Sequence, residues 1–358
     1  MSIDVLDTPS LWVDLNQLET NITTLANFFN RSNVAWRPHI KGIKIPAIAH
    51  KAIKAGAIGV TCAKVSEAEV MFRAGITDIL IANQIVGPRK IERLVQLCHQ
   101  AEVKVSVDHP TNVKHLGAIA TEKQTEIDVL VEINTGMNRA GVQPGQSTVD
   151  LSVLVHQTCG LNFRGLMAWE GHTVGIEDED KKREAIARSV QALHRTVEMC
   201  RSADLTVDII SGGGSGTYNI ITPLANLTEV QAGGAIFGDV SYCHWGANTR
   251  PSLFVRSSVT SQPTPKRLIF DAGFKVLPAW AGKPPIAVNL PDFGSFFPSA
   301  EHGTVHLTRP NSDIQLGQIF DFIVGYGDST VFLHDTLYGI RDQQIEAVWP
   351  VLGRGKVY

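Results

Sequence analysis

The sequence predicts an α/β protein, a (β/α)8 TIM-like barrel with a C-terminal all-β domain, on three observations. Eight short β-rich runs alternate with helical patterns between residues 34 and 238. After about residue 250 the helical patterns stop, and β-type runs separated by Pro, Gly and Asp take over. The 358 residues, 44% of them hydrophobic, suffice to fill two cores.

The eight runs are VAWRPHI (34–40), IGVTCA (58–63), DILIAN (78–83), KVSVDH (104–109), DVLVEIN (128–134), FRGLMAWE (163–170), VDIISGG (207–213) and EVQAGGAIFG (229–238). Eight βα units in series point to a closed parallel barrel. The intervening segments read as helices: Ser66 with Glu69 forms a capping box opening SEAEVMFRAG, which Gly75 closes, and 178–203 carries apolar residues at helical spacing. Beyond 250 the runs RLIFDAG, TVHLT, QIFDFIVG, TVFLHDTLYGI and IEAVWPV show no competing helical period. The expected organisation is an N-terminal strand segment over 1–15 (with SLWVDL joining the β domain), the barrel over 16–248, and the β domain over 249–358.

A formal net charge of −3 without a block of like charges gives no footprint for nucleic acid or an anionic membrane, which leaves small-molecule chemistry. No charged start leads into an apolar run, and no stretch of about 18 apolar residues occurs, so a cytoplasmic protein is expected. The five cysteines are odd in number, spread out and never in a CxxC pair, as reduced thiols are.

Barrel enzymes place their chemistry at the carboxyl ends of the strands. The polar residues closing the runs are Lys41, Lys64, Asn83, Asp108, Asn134 with nearby Arg139, Glu170 with His172, Ser211 and Gln231. Lys41, in RPHIKGIK, is an amine at a barrel mouth, where partial desolvation would suit imine formation. A surface loop lysine is the alternative, since Lys44 follows closely. The glycines of SGGGSGTY (211–218) let successive N–H groups turn inward around an anion, although a plain tight turn would read the same way. Gly233 and Gly234 close the next strand, and two such turns on neighbouring late strands fit the phosphate site common in these barrels.

In order along the chain, RPHIKGIK, CAKVSEAE, MNRAGV, GLMAWEGH, SGGGSGTY and VWPVLGRGK resemble the D-threonine aldolase and D-serine dehydratase family, within the alanine racemase-like (fold-type III) pyridoxal-phosphate enzymes. The resemblance covers nearly the whole chain. It implies pyridoxal 5′-phosphate held by Lys41 as a Schiff base, a small-molecule amino-acid substrate and a homodimer. Arg139 then matches the arginine that hydrogen-bonds the cofactor's phenolic oxygen. Gly216, Thr217, Gly233, Gly234 and Tyr242 match phosphate-holding positions, and Ser211 joins the same cofactor-binding set. His172 and Trp169 lie around the cofactor, with tyrosine the usual occupant at Trp169. Gln231 falls where alanine racemases place an arginine against the pyridine nitrogen. A neutral partner there weakens the electron sink and suits a short-lived carbanion, unless Gln231 merely ends a strand.

The pattern breaks at the metal. The family binds a divalent cation (Mn or Mg) through a His-x-Cys or His-x-Asp pair in the C-terminal domain. Aligned on LHD (333–335), that pair becomes Tyr326 and Asp328, and a neutral phenol is a poor ligand. Ile43 also replaces a common histidine. His302 or His334 could supply a substitute ligand, or be packed or surface residues. The expected function is a lyase of the aldolase type acting on a D-configured β-hydroxy-α-amino acid, such as D-threonine or 3-hydroxy-D-aspartate. Lys41, His172 and Tyr326 are its catalytic residues, Tyr326 as a general base in place of the metal, and Asp328 is a doubtful metal ligand. A D-serine-type dehydratase, an amino-acid racemase or epimerase, and a non-catalytic cofactor carrier are the alternatives.

Overall fold

The computed structural model describes all residues, Met1–Tyr358. The strands, in chain order, are β1 (Ser10–Asp14), β2 (Ala35–Trp36), β3 (Val60–Cys62), β4 (Asp78–Gln84), β5 (Glu102–Val107), β6 (Ile127–Ile133), β7 (Leu161–Ala168), β8 (Ile209–Gly212) and β9 (Glu229–Val230). They continue as β10 (Leu253–Thr264), β11 (Arg267–Phe270), β12 (Ile286–Ala287), β13 (Phe293–Pro298), β14 (Gly303–Leu307), β15 (Ile319–Ile323), β16 (Thr336–Arg341) and β17 (Gln344–Pro350). The helices are α1 (Leu15–Ser32), α2 (Pro46–Lys54), α3 (Val65–Arg73), α4 (Pro88–Cys98), α5 (Pro110–Glu122), α6 (Gln146–Gln157), α7 (Glu179–Ser202), α8 (Tyr218–Leu224), α9 (Val240–His244) and α10 (Gly327–Thr330). Two compact units result. A barrel unit takes Ala26–Lys41, Ala49–Gly233 and Lys356–Tyr358, and a sheet unit takes Met1–Leu25, Gly42–Ile48 and Gly234–Gly355.

In the barrel unit, eight parallel strands run in the order β2-β9-β8-β7-β6-β5-β4-β3. The ring closes through Ile58 N–H to Trp36 O (2.9 Å), Thr61 N–H to Pro38 O (2.9 Å) and a bridge between His39 and Thr61. Each expected run supplies one of these strands, so the predicted barrel is borne out. Leu80, Leu130 and Met167 point inward from β4, β6 and β7 and are buried together, because alternate residues of a barrel strand face its interior. At Gly165 (φ +146°), a Cβ would overlap Ile209 O, so only glycine allows β7 and β8 to approach there.

The amino ends of the strands carry a buried ion-pair network. Arg37, 2% exposed, bonds Glu229 (2.8 Å) and Asp78 (2.6 Å), and Lys104 adds bonds to Asp78 (3.0 Å) and Glu102 (2.6 Å). Burial opposes ionisation of Asp78, but Arg37 and Lys104 outweigh it and hold the carboxyl below its ordinary value. The network lies at the opposite end of the strands from the candidate chemistry and reads as stability.

Two local expectations fail. Ser66 does not cap α3: the N-cap is Lys64, Ser66 lies inside the helix, and its hydroxyl donates to Tyr358 O (2.5 Å). Glu69, the other half of the expected box, pairs with Arg93 (2.7 Å), while Glu67 accepts from Ala63 N–H (2.7 Å) at the helix start. Val331–Leu333 forms a 3-10 turn, so TVFLHDTLYGI becomes a strand only from Thr336.

The sheet unit is a nine-stranded mixed sheet, β13-β14-β11-β10-β1-β16-β17, with β15 on β10 and β12 on β15. β1 pairs antiparallel with β10 and parallel with β16. Residues 234–248, assigned to the barrel on sequence, belong to this unit. Val240 N–H bonds Val324 O (3.1 Å), Ser241 N–H bonds Gly325 O (2.9 Å), and Gly327 N–H bonds the Asp239 carboxylate (2.6 Å). No helix is long and apolar enough to cross a membrane.

Candidate active site

At the carboxyl ends of the barrel strands, several of the polar residues that close the runs serve the backbone. Asn83 bonds Ala63 O (3.0 Å), Asp108 accepts from Gly141 N–H (3.0 Å), and Asn134 accepts from Gly136 N–H (3.1 Å) and Asn138 N–H (3.0 Å). They shape the loops around the mouth, as loop Asx side chains do.

Lys41 sits in a 3-10 turn, Ile40–Gly42, directly after β2, and its N–H reaches His39 Nδ1 (3.4 Å). It is exposed, where the sequence reading expected partial desolvation. His39 N–H bonds Gln231 O (3.1 Å), and a Cβ on Gly233 would overlap His39 O, so the turn after β9 is drawn against the turn that carries Lys41. The Gln231 amide donates to Ser211 Oγ (2.9 Å), which couples the ends of β8 and β9. Arg139 stands in the loop after β6, half exposed, 3.5 Å from the buried Glu132 carboxylate. His172 is exposed; partial burial and then the Arg188 guanidinium hold its imidazole below its ordinary value, so it is neutral at pH 7. Its ring lies against Gly136, where a Cβ would come within 2.9 Å.

The glycine run folds into a turn closed by Thr217 N–H to Gly214 O (3.1 Å) and Tyr218 N–H to Gly214 O (2.9 Å). Gly213 has φ +68°, and a Cβ on Gly214 would overlap the Trp169 ring, so the indole covers the turn only because no side chain stands there. Behind the turn, Thr217 Oγ1 is 2.5 Å from Glu170 Oε1 and accepts Gly214 N–H (3.1 Å); both side chains are buried. Burial pushes the Glu170 carboxyl up to about 7, against the Thr217 hydroxyl and main-chain N–H groups. On sequence Glu170 stands out only as a strand-end residue, with no signal of a buried acid.

In the sheet unit, Asp328 accepts from Tyr242 Oη (3.0 Å) at one oxygen and from Tyr326 Oη (3.2 Å) at the other. The three aromatic rings of Tyr242, Tyr326 and Trp245 pack with centroids 5.4–5.5 Å apart. Gly42, the residue after Lys41 in the chain, belongs to this unit, and a Cβ on it would overlap the Asp328 carboxylate. Asp239 holds the cluster from below, taking Tyr242 N–H (2.8 Å) and Gly327 N–H (2.6 Å). Sequence reasoning missed Asp239, although GDVSY carries the Asp of an N-cap. A Cβ on Gly234 would overlap the Tyr242 ring. Burial first, and then the Asp328 charge, raise the Tyr326 and Tyr242 phenols above their ordinary value. Tyr326 is therefore a donor to Asp328, which counts against the general-base role expected for it.

The barrel-unit donors suit a phosphorylated aldehyde cofactor: a lysine amine after β2, a glycine turn with Gly213 at φ +68°, and a neutral amide at Gln231. The same test fails for a divalent cation. Both Asp328 oxygens accept from phenols, no group of three or more His, Cys, Asp or Glu could hold a metal, and His334 Nε2 is bonded to Val276 O (2.8 Å). Substitution of His334 for the missing ligand is not supported.

The family model "Alanine racemase, N-terminal domain" matches residues 13–241, and one for a serine dehydratase domain matches 252–340. A D-threonine aldolase of Arthrobacter sp is 34% identical over 98% of this chain and 93% of its own length. A 3-hydroxy-D-aspartate aldolase of Paracoccus denitrificans (strain Pd 1222) is 30% identical over 99% of this chain and 93% of its own. The crystal structure of D-threonine aldolase from Filomicrobium marinum superposes with a TM-score of 0.96 at 35% identity, covering 100% of this chain and 98% of that one. The chain belongs to the alanine racemase N-terminal-domain family, in the D-threonine aldolase-like group of fold-type III pyridoxal-phosphate enzymes.

Proposed function

We propose that this protein is a pyridoxal-phosphate-dependent lyase that cleaves a D-configured β-hydroxy-α-amino acid, of the D-threonine or 3-hydroxy-D-aspartate type, to a smaller amino acid and an aldehyde. The observation that carries the reading is Lys41 on the turn after β2, a turn tied to the end of β9 through His39 N–H on Gln231 O and accompanied by the covered glycine turn. The relatives named D-threonine aldolase and 3-hydroxy-D-aspartate aldolase share that substrate class in their names.

In this reading Lys41 would hold the cofactor, Arg139 would donate to it, the turn with Gly216 and Thr217 would take its phosphate, and Gln231 would offer its ring a neutral amide partner. The reading assigns Gly233, Gly234, Tyr242 and Ser211 supporting roles toward the cofactor. The cofactor supplies an electron sink for a bond broken at the α-carbon. His172, neutral at pH 7, takes the proton from the β-hydroxyl oxygen as the Cα–Cβ bond breaks. Trp169 roofs the glycine turn and shields it from water. The reading includes a homodimer, which light scattering of the purified chain would check.

The test is to incubate the holoenzyme with D-threonine, D-serine and 3-hydroxy-D-aspartate and to assay aldehyde and keto acid separately. Aldehyde with glycine supports the aldolase, and a keto acid with ammonia would replace it by a dehydratase. Solvent deuterium at Cα without loss of substrate would replace it by a racemase.

A further inference from the structure

The Glu170–Thr217 pair contains one hydrogen bond whose proton can belong to either partner, and its owner decides what Thr217 can do. With Glu170 ionised, the Thr217 hydroxyl must donate to Oε1, 2.5 Å away, and has nothing to offer another group. With Glu170 protonated, the carboxyl donates instead. Thr217 Oγ1 then accepts both from Glu170 and from Gly214 N–H (3.1 Å), and its own proton is released. The nearest other acceptor, Gly214 O, is 3.4 Å away, too long to compete with an anion held on the turn. Both side chains are buried, so no bulk water intervenes.

We propose that Glu170 is a positioning residue for the cofactor phosphate: its protonated form turns the Thr217 hydroxyl toward the glycine turn, and binding of the phosphate dianion retains or takes up that proton. The inference rests on the cofactor reading above and assigns a role to a carboxyl that reading does not use. Charge argues in the same direction, because an ionised carboxylate one hydroxyl behind a dianion would repel it in a dry interior. The groups facing the Glu170 carboxyl are the Thr217 hydroxyl after the glycine turn and the N–H groups of Gly213 and Glu170. None of them titrates, so the carboxyl is the group that carries the pH response, with its transition at about 7.

The probe is pyridoxine 5′-phosphate, which bears the phosphate but no aldehyde, titrated by tryptophan fluorescence into the full chain freed of cofactor. Between pH 7 and 9 the ligand's phosphate stays dianionic. Over that range the parent chain is expected to weaken on the order of tenfold or more, because each pH unit above the transition removes most of the competent form. Glu170→Gln, whose amide donates to Thr217 permanently, is expected to bind at the parent's low-pH affinity with a flat profile. Thr217→Val is expected to be flat at the weaker affinity, and it keeps the test open if Glu170→Gln does not fold. A parent profile that is flat, or one reproduced by either variant, overturns the proposal while leaving the cofactor reading intact. No binding by the parent at any pH overturns both.

Discussion

Replacing Glu170 by glutamine gives a stability change whose sign depends on pH. The folded carboxyl lies at about 7, and an unfolded one returns to its ordinary value of 4.5. Between these values the folded chain holds a proton that the unfolded chain has lost, so stability due to this group falls as pH rises from about 4.5 to about 7 and stays low above it. The full cost at pH 8 is about 3 kcal/mol, at 1.36 kcal/mol per pH unit of displacement. Glutamine cannot ionise and keeps a donor to Thr217. The variant freed of cofactor should therefore exceed its parent by less than about 1 kcal/mol at pH 5 and by about 3 kcal/mol at pH 8. Equilibrium urea unfolding of both chains at pH 5, 6, 7 and 8 reads this difference directly. Asp78, held low by Arg37 and Lys104, loses its contribution as pH falls, but it does so in both chains and cancels. A difference that stays constant over the four pH values would refute the reasoning, because a lost contact is not expected to vary with proton activity.

Other substitutions probe other parts of the molecule. Arg37→Met leaves Glu229 and part of Asp78 buried without a cation, and should cost about 3–5 kcal/mol in urea unfolding, with Arg37→Met/Glu229→Gln recovering part of the loss. Its cofactor absorbance should match the parent's wherever it is folded, since the network stands at the far ends of the strands. Gly214→Ala drives a methyl into the Trp169 ring and should raise the cofactor dissociation constant at least tenfold, read by equilibrium dialysis, with a shifted tryptophan emission. Exhaustive chelation should leave product release unchanged, because both Asp328 oxygens are occupied by phenols; a loss of turnover restored by Mn²⁺ would show that the cluster rearranges to take a metal.

The barrel was legible because its signal is local: each of the eight runs is a short apolar segment between turn residues, and each became a strand even where only two residues, as in β2 and β9, make regular ladder bonds. The position of Lys41, Gln231 and the glycine turn at the carboxyl ends of β2, β9 and β8 was legible because strand ends in a barrel converge whatever their spacing in the chain. Three features were not, since each depends on a partner far away in sequence. Glu170 and Thr217 are 47 residues apart, and burial alone distinguishes this acid from a surface glutamate. Asp239 binds Gly327 N–H across 88 positions, which draws 234–248 into the sheet unit. The Ser66–Glu69 box matched in spacing, but Ser66 is claimed by Tyr358 and Glu69 by Arg93, and tertiary partners outweighed the local motif.

Reduction of the holoenzyme with borohydride, followed by peptide mass spectrometry, reads which lysine carries the cofactor. The expected result is a phosphopyridoxyl adduct on Lys41, absent from Lys41→Ala together with the cofactor's absorbance band. An adduct on Lys44 or Lys64 instead, with Lys41 unmodified, would contradict it.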